Sequence, residues 1–375
     1  MEFRDLKKQY QVLKKEIDAN VLATMASGAY ILGKPVAELE EKLAAYTGRK
    51  HCVAVANGTD ALQLSLMAYD IGLGDAIFTS DFTYFASAGS GSILGATPVL
   101  VDIDLETFNM SAEDLERRIQ AVLDEGKLTP KFVVPVDLFG LPADYTKILP
   151  IAKKYGLRIL EDGAQGFGGA INGKRACSFG EISTTSFFPA KPLGCYGDGG
   201  AIFTDDDEID ARLRSLRAQG KSPEDKYDNR EIGMNSRLDT LQAAILLPKL
   251  RAFEEYEIDA VNKVADAYTA ALKDKVVTPT VPAGFLSSWA QYTILLESKE
   301  KRDEVSSALK AKGIPTMIYY PRGLHQQAAY RWMNLSDQEY PNTVHAANCV
   351  LSLPMHPYME ENEQKYIIDS LLEVL

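Results

Sequence analysis

The chain has 375 residues, of which 46% are hydrophobic and 25% are charged, and its formal net charge at pH 7 is −12. That length suggests two domains, the first larger, and the composition is ordinary for a soluble globular protein with a sizeable core. Proteins that bind nucleic acid usually carry a basic excess or a dense basic patch, so the acidic balance argues against a nucleic-acid partner. No apolar run approaches the length of a membrane span, which argues against a membrane partner.

The cysteines are scattered along the chain and form no C-x-x-C pair and no cysteine–histidine cluster. This spacing is typical of reduced thiols and predicts neither a disulfide framework nor a metal site. The N-terminal stretch MEFRDLKKQY is charged and lacks the apolar core of a signal peptide. We therefore expect a cytoplasmic protein.

Short β-branched runs alternate with amphipathic stretches over the first 163 residues. The patterns predict strands at 51–57, 75–80, 97–104, 131–139 and 157–163, and helices at 59–69, 84–94, 111–125 and 144–156. This β-α-β-α order predicts an α/β fold with a mostly parallel sheet and helices on both faces. Ligands of such sheets bind at the carboxyl ends of the strands.

The pattern changes after residue 274. A long helical stretch over 235–274, interrupted at Pro248, is predicted to bridge two domains. The remaining residues indicate a smaller α+β domain that ends in a helix over 361–375. We predict a large domain at 1–245 and a small C-terminal domain at 246–375.

Lys191 lies in an unusual stretch, SFFPAKPLGCYGDGGAIFT, which is apolar and glycine-rich and whose other charged residue is Asp198. The proline that follows Lys191 biases it toward extended backbone, so we place it on a loop or at a strand end. A lone lysine is usually solvated. A lysine that forms an imine must be desolvated or lie near cations to be neutral and nucleophilic, and this setting fits that role.

Two earlier segments carry signals of a ligand site. The turn Asn57–Gly58, with Thr59 as a plausible N-cap, opens a helix whose free amides and dipole favour an anion, although a plain capped helix is as good an interpretation. Tyr84 and its aromatic neighbours follow the second strand. They either pack in the core or offer a ring that stacks on a planar ligand.

A third segment, ILEDGAQGFGG, ends an apolar strand with Glu161 and Asp162, and Gln165 follows three residues later. Carboxylates at that point either cap the turn or face a cationic ring nitrogen. Together with Lys191, the segments supply an anion cradle, an aromatic platform, a carboxylate and a lysine after strands of one sheet. Pyridoxal phosphate requires that set for its phosphate, ring, pyridine nitrogen and aldehyde. We predict pyridoxal 5'-phosphate as the cofactor and no metal.

These motifs resemble the DegT/DnrJ-type sugar-nucleotide aminotransferases, which have the aspartate-aminotransferase fold (fold type I, a large mostly parallel mixed sheet flanked by helices plus a smaller α+β domain). The resemblance covers nearly the whole chain, from FRDLKKQY and NGTDAL to MNSRLDTLQAAIL and LSLPMHPYM, and the lysine and NSRLD blocks are its most specific parts. Some relatives replace the lysine with histidine and are dehydratases. This chain keeps Lys191, which favours transamination.

The resemblance implies roles for individual residues. Lys191 would form the Schiff base and shuttle the proton, Asp162 would hold the pyridine nitrogen, and Gln165 would hold the phenolic oxygen of the ring. The implied phosphate ligands are Gly58, Thr59, Asp60 and Ser186, Tyr84 would stack on the ring, and Asn235 would reach the cofactor of the neighbouring subunit. The last role implies a homodimer with shared active sites.

Two further features of the sequence concern the cofactor site and the choice of substrate. Gly163 stands where the family usually has alanine, a change that leaves the charges of the site intact. The chain is most similar to the aminotransferases of UDP-3-keto-N-acetylglucosamine and its uronic acid, in which Arg237 would lie near the sugar carboxylate. Tyr319 and Tyr320 stand where that subgroup often has His-Tyr, and His325 is either a further substrate contact or a surface histidine.

The sequence therefore predicts amino transfer from L-glutamate to a keto group of a nucleotide-linked sugar, for lipopolysaccharide or other surface polysaccharide such as O-antigen. One alternative is amination at C4 of a 4-keto-6-deoxy sugar nucleotide. Another is a non-catalytic binding or regulatory protein that keeps the fold. A dinucleotide-binding enzyme is disfavoured, because GDGG precedes a strand and does not open a helix.

Overall fold

Helices and strands alternate along the first part of the chain, in a computed structural model that describes residues 1–222, 224–225 and 227–375. The helices are α1 (Leu6–Ser27), α2 (Lys34–Thr47), α3 (Gly58–Met67), α4 (Ala86–Ile93), α5 (Ala112–Glu125), α6 (Tyr145–Tyr155) and α7 (Asp207–Leu216). The strands are β1 (His51–Val55), β2 (Asp75–Ser80), β3 (Thr97–Val101), β4 (Thr129–Val134), β5 (Arg158–Asp162), β6 (Ala170–Ile171), β7 (Lys174–Arg175), β8 (Ile182–Ser186) and β9 (Gly200–Thr204).

The later part of the chain has longer helices and few strands. Its helices are α8 (Thr240–Ala252), α9 (Ile258–Leu272), α10 (Lys299–Ala311), α11 (Pro341–Cys349) and α12 (Glu361–Val374), and its strands are β10 (Phe285–Leu286), β11 (Tyr292–Leu295) and β12 (Val350–Leu353). Strands β11 and β12 pair with each other, whereas β10 pairs with β6 of the first part.

A seven-stranded sheet in the order β1-β9-β8-β5-β4-β2-β3 forms the centre of the fold. Strand β9 runs antiparallel to both of its neighbours, and the remaining neighbouring pairs are parallel. The predicted mostly parallel mixed sheet is therefore confirmed. Its strands direct alternate side chains to opposite faces, so that Val53 and Val55 join the core beneath α3 while Ala54 joins the core beneath α2 and α8.

The direction of the strands brings the candidate site residues to one edge. The parallel strands β2, β5 and β8 end at that edge, and the antiparallel strand β9 begins there. The N-terminus of α3 lies at the same edge, because it packs directly against the backbone of β9. A Cβ atom added to Gly200 of β9 would lie 2.8 Å from the backbone nitrogen of Gly58. Turns distant in the sequence therefore meet around one cavity.

The predicted interruption of the bridging helix at Pro248 is wrong. Helix α8 continues through Pro248 and passes by a π-helical segment, Phe253–Glu257, into α9. A proline removes the amide that would bond to the carbonyl four residues earlier, here that of Ala244. The Asn20 Nδ2 atom donates to this carbonyl at 3.2 Å, so the helix continues with its freed acceptor satisfied.

Helices α9, α10 and α12 enclose a separate apolar core with β11 and β12, which includes Tyr268, Tyr292 and Leu351. This core belongs to the C-terminal segment, as the α+β pattern indicated. A domain boundary between residues 245 and 246 stays a prediction, and it falls inside α8. No helix among the described residues has both the length and the apolar character needed to cross a membrane.

Candidate active site

A cavity of about 710 Å³ opens at the edge of the sheet where the strands β2, β5 and β8 end. Its walls come from the start of α3, the turns after those strands, and the segment 318–327. Nine of the residues predicted for the site line it: Gly58, Thr59, Tyr84, Asp162, Gln165, Ser186, Lys191, Tyr319 and Tyr320. The sequence-based interpretation thus identified side chains that the fold brings together from five separate segments.

Lys191 projects into the cavity from the loop between β8 and β9. The loop is tightly turned: the Lys191 amide donates to the Phe188 carbonyl at 2.8 Å, and a Cβ on Gly194 would lie 2.5 Å from the Pro189 carbonyl. This glycine therefore permits the loop's own turn and does not make room inside the cavity. Burial lowers the pKa of Lys191, and the charge of Asp162 opposes that shift. A larger share of neutral, nucleophilic amine results.

Asp162 is the last residue of β5 and keeps 4% of its surface exposed. Burial raises its pKa, while a hydrogen bond from Ser87 Oγ at 2.7 Å, the Ala164 amide at 3.2 Å and the charge of Lys191 act in the opposite direction. These donors fix the orientation of the carboxylate. A carboxylate that is held in one orientation, with part of its hydrogen-bonding capacity unused, can accept a hydrogen bond from a protonated ring nitrogen.

The orientation of Gln165 is set by the backbone. The Phe139 amide donates to Gln165 Oε1 at 2.9 Å, so the amide nitrogen is the atom left for the cavity. That Nε2 atom donates to the Tyr320 hydroxyl at 3.2 Å. Gln165 therefore presents a hydrogen-bond donor, as a contact with the phenolic oxygen of the cofactor requires.

The predicted anion cradle needs two corrections. The N-cap of α3 is Asn57 and not Thr59, and its Oδ1 atom accepts from the Asp60 amide at 2.8 Å. The Asp60 amide is thus already used, and Asp60 does not line the cavity. The amides of Gly58 and Thr59 lie in the first helical turn, where helix geometry provides no acceptor, so they are the ones that can face a phosphate.

Gly58 is required at this place by close packing. A Cβ there would lie 2.7 Å from the Cβ of Ser186. The helix terminus can therefore sit directly beside the end of β8, and the Ser186 hydroxyl reaches the same part of the cavity.

The aromatic residues after β2 have different environments. Phe82 is fully buried and packs in the core, which is the ordinary interpretation of such a residue. Tyr84 keeps 59% of its surface exposed and lines the cavity, so its ring is available for stacking. Phe85 stacks on Tyr330, with ring centroids 5.3 Å apart.

Three predicted substrate or partner contacts lie outside the cavity lining: Asn235, Arg237 and His325. Asn235 is exposed, as a residue that reaches a neighbouring subunit would be. His325 is buried, so the surface interpretation of this residue is wrong. Its ring is also engaged on both sides: Nδ1 lies 2.5 Å from Asp81 Oδ2, and Nε2 lies 2.9 Å from Asp337 Oδ1.

The structure adds site residues that the sequence analysis missed. Ser87, Gln291, Arg322 and Gln327 line the cavity. Ser87 follows Tyr84 by three residues in the segment that opens α4, a spacing that places two side chains on one helix face and could have indicated it. Gln291 and Gln327 lie in segments without a motif, and the tertiary structure alone brings them to the cavity. Among the described residues no group of three or more His, Cys, Asp or Glu side chains could hold a metal ion.

The residues present fit pyridoxal phosphate. The cavity is lined by an amine of lowered pKa, an oriented carboxylate, an oriented amide donor and two helix-terminal amides, and these are the groups that the aldehyde, ring nitrogen, ring oxygen and phosphate of this cofactor require. The sheet order and the position of these residues define the aspartate-aminotransferase class of fold.

Comparison with known proteins identifies the family. Residues 11–372 match the model of the DegT/DnrJ/EryC1/StrS aminotransferase family, and the chain belongs to that family. It is 45% identical to a UDP-2-acetamido-2-deoxy-3-oxo-D-glucuronate aminotransferase of Pseudomonas aeruginosa, over 99% of both chains. It is 39% identical to a UDP-N-acetyl-3-dehydro-alpha-D-glucosamine 3-aminotransferase of Acidithiobacillus ferrooxidans, over 96% of this chain and 94% of the relative.

Solved structures show the same fold. A DegT/DnrJ/EryC1/StrS aminotransferase from Brucella abortus has a TM-score of 0.96 and 47% identity, over 100% of this chain and 99% of that chain. DesV of S. venezuelae, solved in complex with a ketimine intermediate, has a TM-score of 0.93 and 35% identity, over 99% of this chain and 97% of that chain. The predicted fold class is therefore confirmed, as is the assignment to the aminotransferases.

Gly163, the departure from the family pattern, packs against a second unusual residue. A Cβ on Gly163 would lie 2.5 Å from Cys177 Sγ and 3.1 Å from the Thr184 carbonyl. Cys177 has a φ of 67°, a backbone conformation that suits glycine. The missing methyl at one position thus provides the space for the thiol at the other. The turn after Asp162 is filled and not loosened.

This packing predicts a double-mutant effect. We expect Gly163→Ala to lower the free energy of unfolding by roughly 1–3 kcal/mol, because a well-packed core does not accept an extra methyl. Adding Cys177→Gly removes the clashing sulfur and the strained φ, so most of the loss should be recovered. Urea unfolding of both single variants and the double variant measures the coupling. Equal losses in Gly163→Ala and in the double variant would contradict the proposed contact.

A pH effect follows from the carboxylates around His325. Burial by itself lowers the pKa of His325, but hydrogen bonds and charges from Asp81 and Asp337 outweigh it and raise the pKa above the ordinary 6.5. The stabilisation is thus complete below the unfolded-state pKa and is lost as pH rises through the folded-state value. We expect His325→Gln to cost roughly 1–3 kcal/mol at low pH.

The measurement is the difference in melting temperature between wild type and His325→Gln across pH. It should be largest below pH 6.5 and shrink on the alkaline side of that value. His345, which is exposed, provides the matched control His345→Gln. A difference that does not change with pH would show that the charge of His325 has no part in the stability.

Proposed function

We propose that the chain transfers the amino group of L-glutamate to a keto group of a nucleotide-linked sugar, with pyridoxal 5'-phosphate as its cofactor. The substrate we favour is a UDP-3-keto-N-acetylhexosamine or its uronic acid, consumed in the cytoplasm for surface polysaccharide. The observation that carries the proposal is the pair formed by Lys191, whose pKa burial lowers, and Asp162, a buried carboxylate in the same cavity. The family and the names of the relatives support the substrate class.

Bound pyridoxal phosphate supplies an aldehyde for the lysine amine and a ring that stabilises negative charge at the reacting carbon. The Asp162 carboxylate, which Ser87 and the Ala164 amide hold in place, would keep the proton on the pyridine nitrogen. Gln165 Nε2 would donate a hydrogen bond to the ring oxygen. Lys191 Nζ, with its lowered pKa, would remove a proton at one reacting carbon and deliver a proton at another within each half of the reaction.

The cofactor and the amino donor are tested together by the visible absorption spectrum of the purified protein with pyridoxal phosphate. We expect a band of the bound cofactor that depends on Lys191 and that fades when L-glutamate is added. Absence of such a band in excess cofactor would reject the enzyme and favour a binding or regulatory protein with the same fold. A band that persists with L-glutamate would reject the donor alone.

The site of amination is tested by competition between sugars. We expect turnover of a UDP-3-keto-N-acetylglucosamine or its uronic acid to exceed that of a 4-keto-6-deoxy sugar nucleotide. The relatives from Pseudomonas and Acidithiobacillus favour the first result by their names. A higher kcat/KM for the 4-keto sugar would establish the alternative.

Replacement of the lysine gives the sharpest mutational test. Lys191→Ala and Lys191→Arg should each lower kcat for transamination by at least about a hundredfold, because both remove the proton-transferring amine. Lys153, which is exposed on α6, provides the control Lys153→Ala and should leave the rate unchanged. Full activity in Lys191→Arg would overturn the mechanism.

We further propose a homodimer in which Asn235 of one subunit completes the other's site. The exposure of Asn235 and of apolar Ile232 close to it supports an interface at that surface. The apolar groove that adjoins the cavity at Tyr84 and Phe85 is a second surface that a partner subunit could cover. Complementation tests the idea: mixed dimers of Lys191→Ala and Asn235→Ala subunits contain one site with both residues intact. Activity should return on co-expression of the two, and mixtures that stay inactive would place Asn235 elsewhere.

A further inference from the structure

Arg322 lies at the wall of the candidate cavity with its charge unpaired. Its side chain is exposed and lines the cavity, and among residues 1–222, 224–225 and 227–375 none forms a hydrogen bond or ion pair with its guanidinium. Acidic residues outnumber basic ones in this chain, 52 to 40. Arg212, for example, is paired with Asp70 and Glu231. The guanidinium groups of Arg237 and Arg331, like that of Arg322, have no hydrogen bond or ion pair to a described residue, but they lie outside the cavity lining. An unpaired arginine beside a cavity is therefore notable, since it is free to receive an anion.

The backbone that carries Arg322 is fastened to the end of β2. The Leu324 amide donates to the Asp81 carbonyl at 2.8 Å, and the His325 amide donates to Asp81 Oδ1 at 2.7 Å. Gly323 permits this approach, because a Cβ there would lie 2.4 Å from Asp81 Oδ2. The backbone at Arg322 is thus held close to the end of β2. It is therefore also close to Tyr84, which follows β2 and lines the same cavity.

Among the charged residues that line the cavity, one cation has no part in the proposed chemistry. Its charged lining residues are Asp162, Asp198, Lys191 and Arg322. In the proposed function Lys191 is committed to the chemistry and Asp162 to the pyridine nitrogen. Arg322 is then the remaining cation of the lining for the anionic parts of a nucleotide-linked sugar. An arginine binds phosphate and carboxylate oxygens in the same two-pronged geometry.

We propose that Arg322 binds an oxyanion of the nucleotide-sugar substrate, either its diphosphate or the carboxylate of a uronic acid, and so contributes to substrate specificity. This role rests on the proposed function, and it is additional to that of Arg237. Tyr319 and Tyr320, which precede Arg322 by three and two residues, form the wall beside it.

The test compares Arg322→Gln and Arg322→Lys with a matched control. Arg331→Gln alters an exposed arginine of the same surface region that does not line the cavity. We expect Arg322→Gln to raise the KM for the nucleotide sugar about tenfold or more, as loss of a charge-assisted hydrogen bond implies. Arg322→Lys should keep part of the affinity, Arg331→Gln should match wild type, and the KM for L-glutamate should change much less.

Two substrates and one binding assay distinguish the sources of the oxyanion. Weaker binding of UDP by calorimetry, with a higher KM for both the neutral sugar and the uronic acid, indicates the diphosphate. A higher KM for the uronic acid alone, with UDP binding unchanged, indicates the carboxylate. Unchanged KM values for both sugars, or an equal rise in the KM for L-glutamate, would overturn the role of Arg322.

Failure of the proposed function would look different. Wild-type enzyme would then turn over neither keto sugar, whereas the calorimetric comparison of wild type and Arg322→Gln with UDP would still report on Arg322. Weaker UDP binding in the variant would support the arginine contact without the reaction. Equal binding in both of UDP and of the UDP-linked uronic acid, without turnover, would reject both proposals.

Discussion

The structure depends on the burial of a carboxylate, Asp162, at the end of a central strand. An unpaired buried charge is costly, so the surrounding elements must supply compensation. Ser87 from α4, the Ala164 amide from the next turn and the charge of Lys191 from the β8–β9 loop provide it. The same three groups place a lysine amine and a carboxylate in one cavity. The electrostatic requirement of the fold and the chemistry of the site are thus met by the same contacts.

The walls of the cavity come from distant parts of the chain. Asp81, at the end of β2, holds the segment that includes His325, and this segment contributes Tyr319, Tyr320 and Arg322. The N-terminal segment joins the same region, because Arg4 Nη2 donates at 3.1 Å to the carbonyl of Pro192, the residue that follows Lys191. These connections tie the C-terminal segment and the N-terminus to the sheet. The site is therefore a product of the whole chain.

Local pattern predicted much of this architecture and failed in places where a distant partner decides. The strand predicted at 75–80 and the helices predicted at 111–125 and 144–156 are local features, and they agree with the structure to within one residue at each end. The helix through Pro248 could not be predicted locally, since Asn20 lies 224 residues from the carbonyl it satisfies. Likewise, the use of the Asp60 amide depends on which side chain caps α3. A sequence shows that several residues could do so, and the backbone geometry selects Asn57.

The sequence by itself determined most of the strands and helices between residues 51 and 163, because these follow from local periodicity. Its motifs indicated the family by resemblance and selected Lys191, Asp162 and Gln165 as candidate site residues. The tertiary structure decided which polar groups remain available. It directs the Gln165 nitrogen into the cavity by binding its oxygen to the backbone, and it encloses His325 between two carboxylates. It also leaves Arg322, beside the cavity, without a partner in the part of the chain that the structure describes. Whether a polar group is available to a ligand depends on hydrogen bonds between residues that are far apart in the sequence. A local sequence pattern does not contain that information.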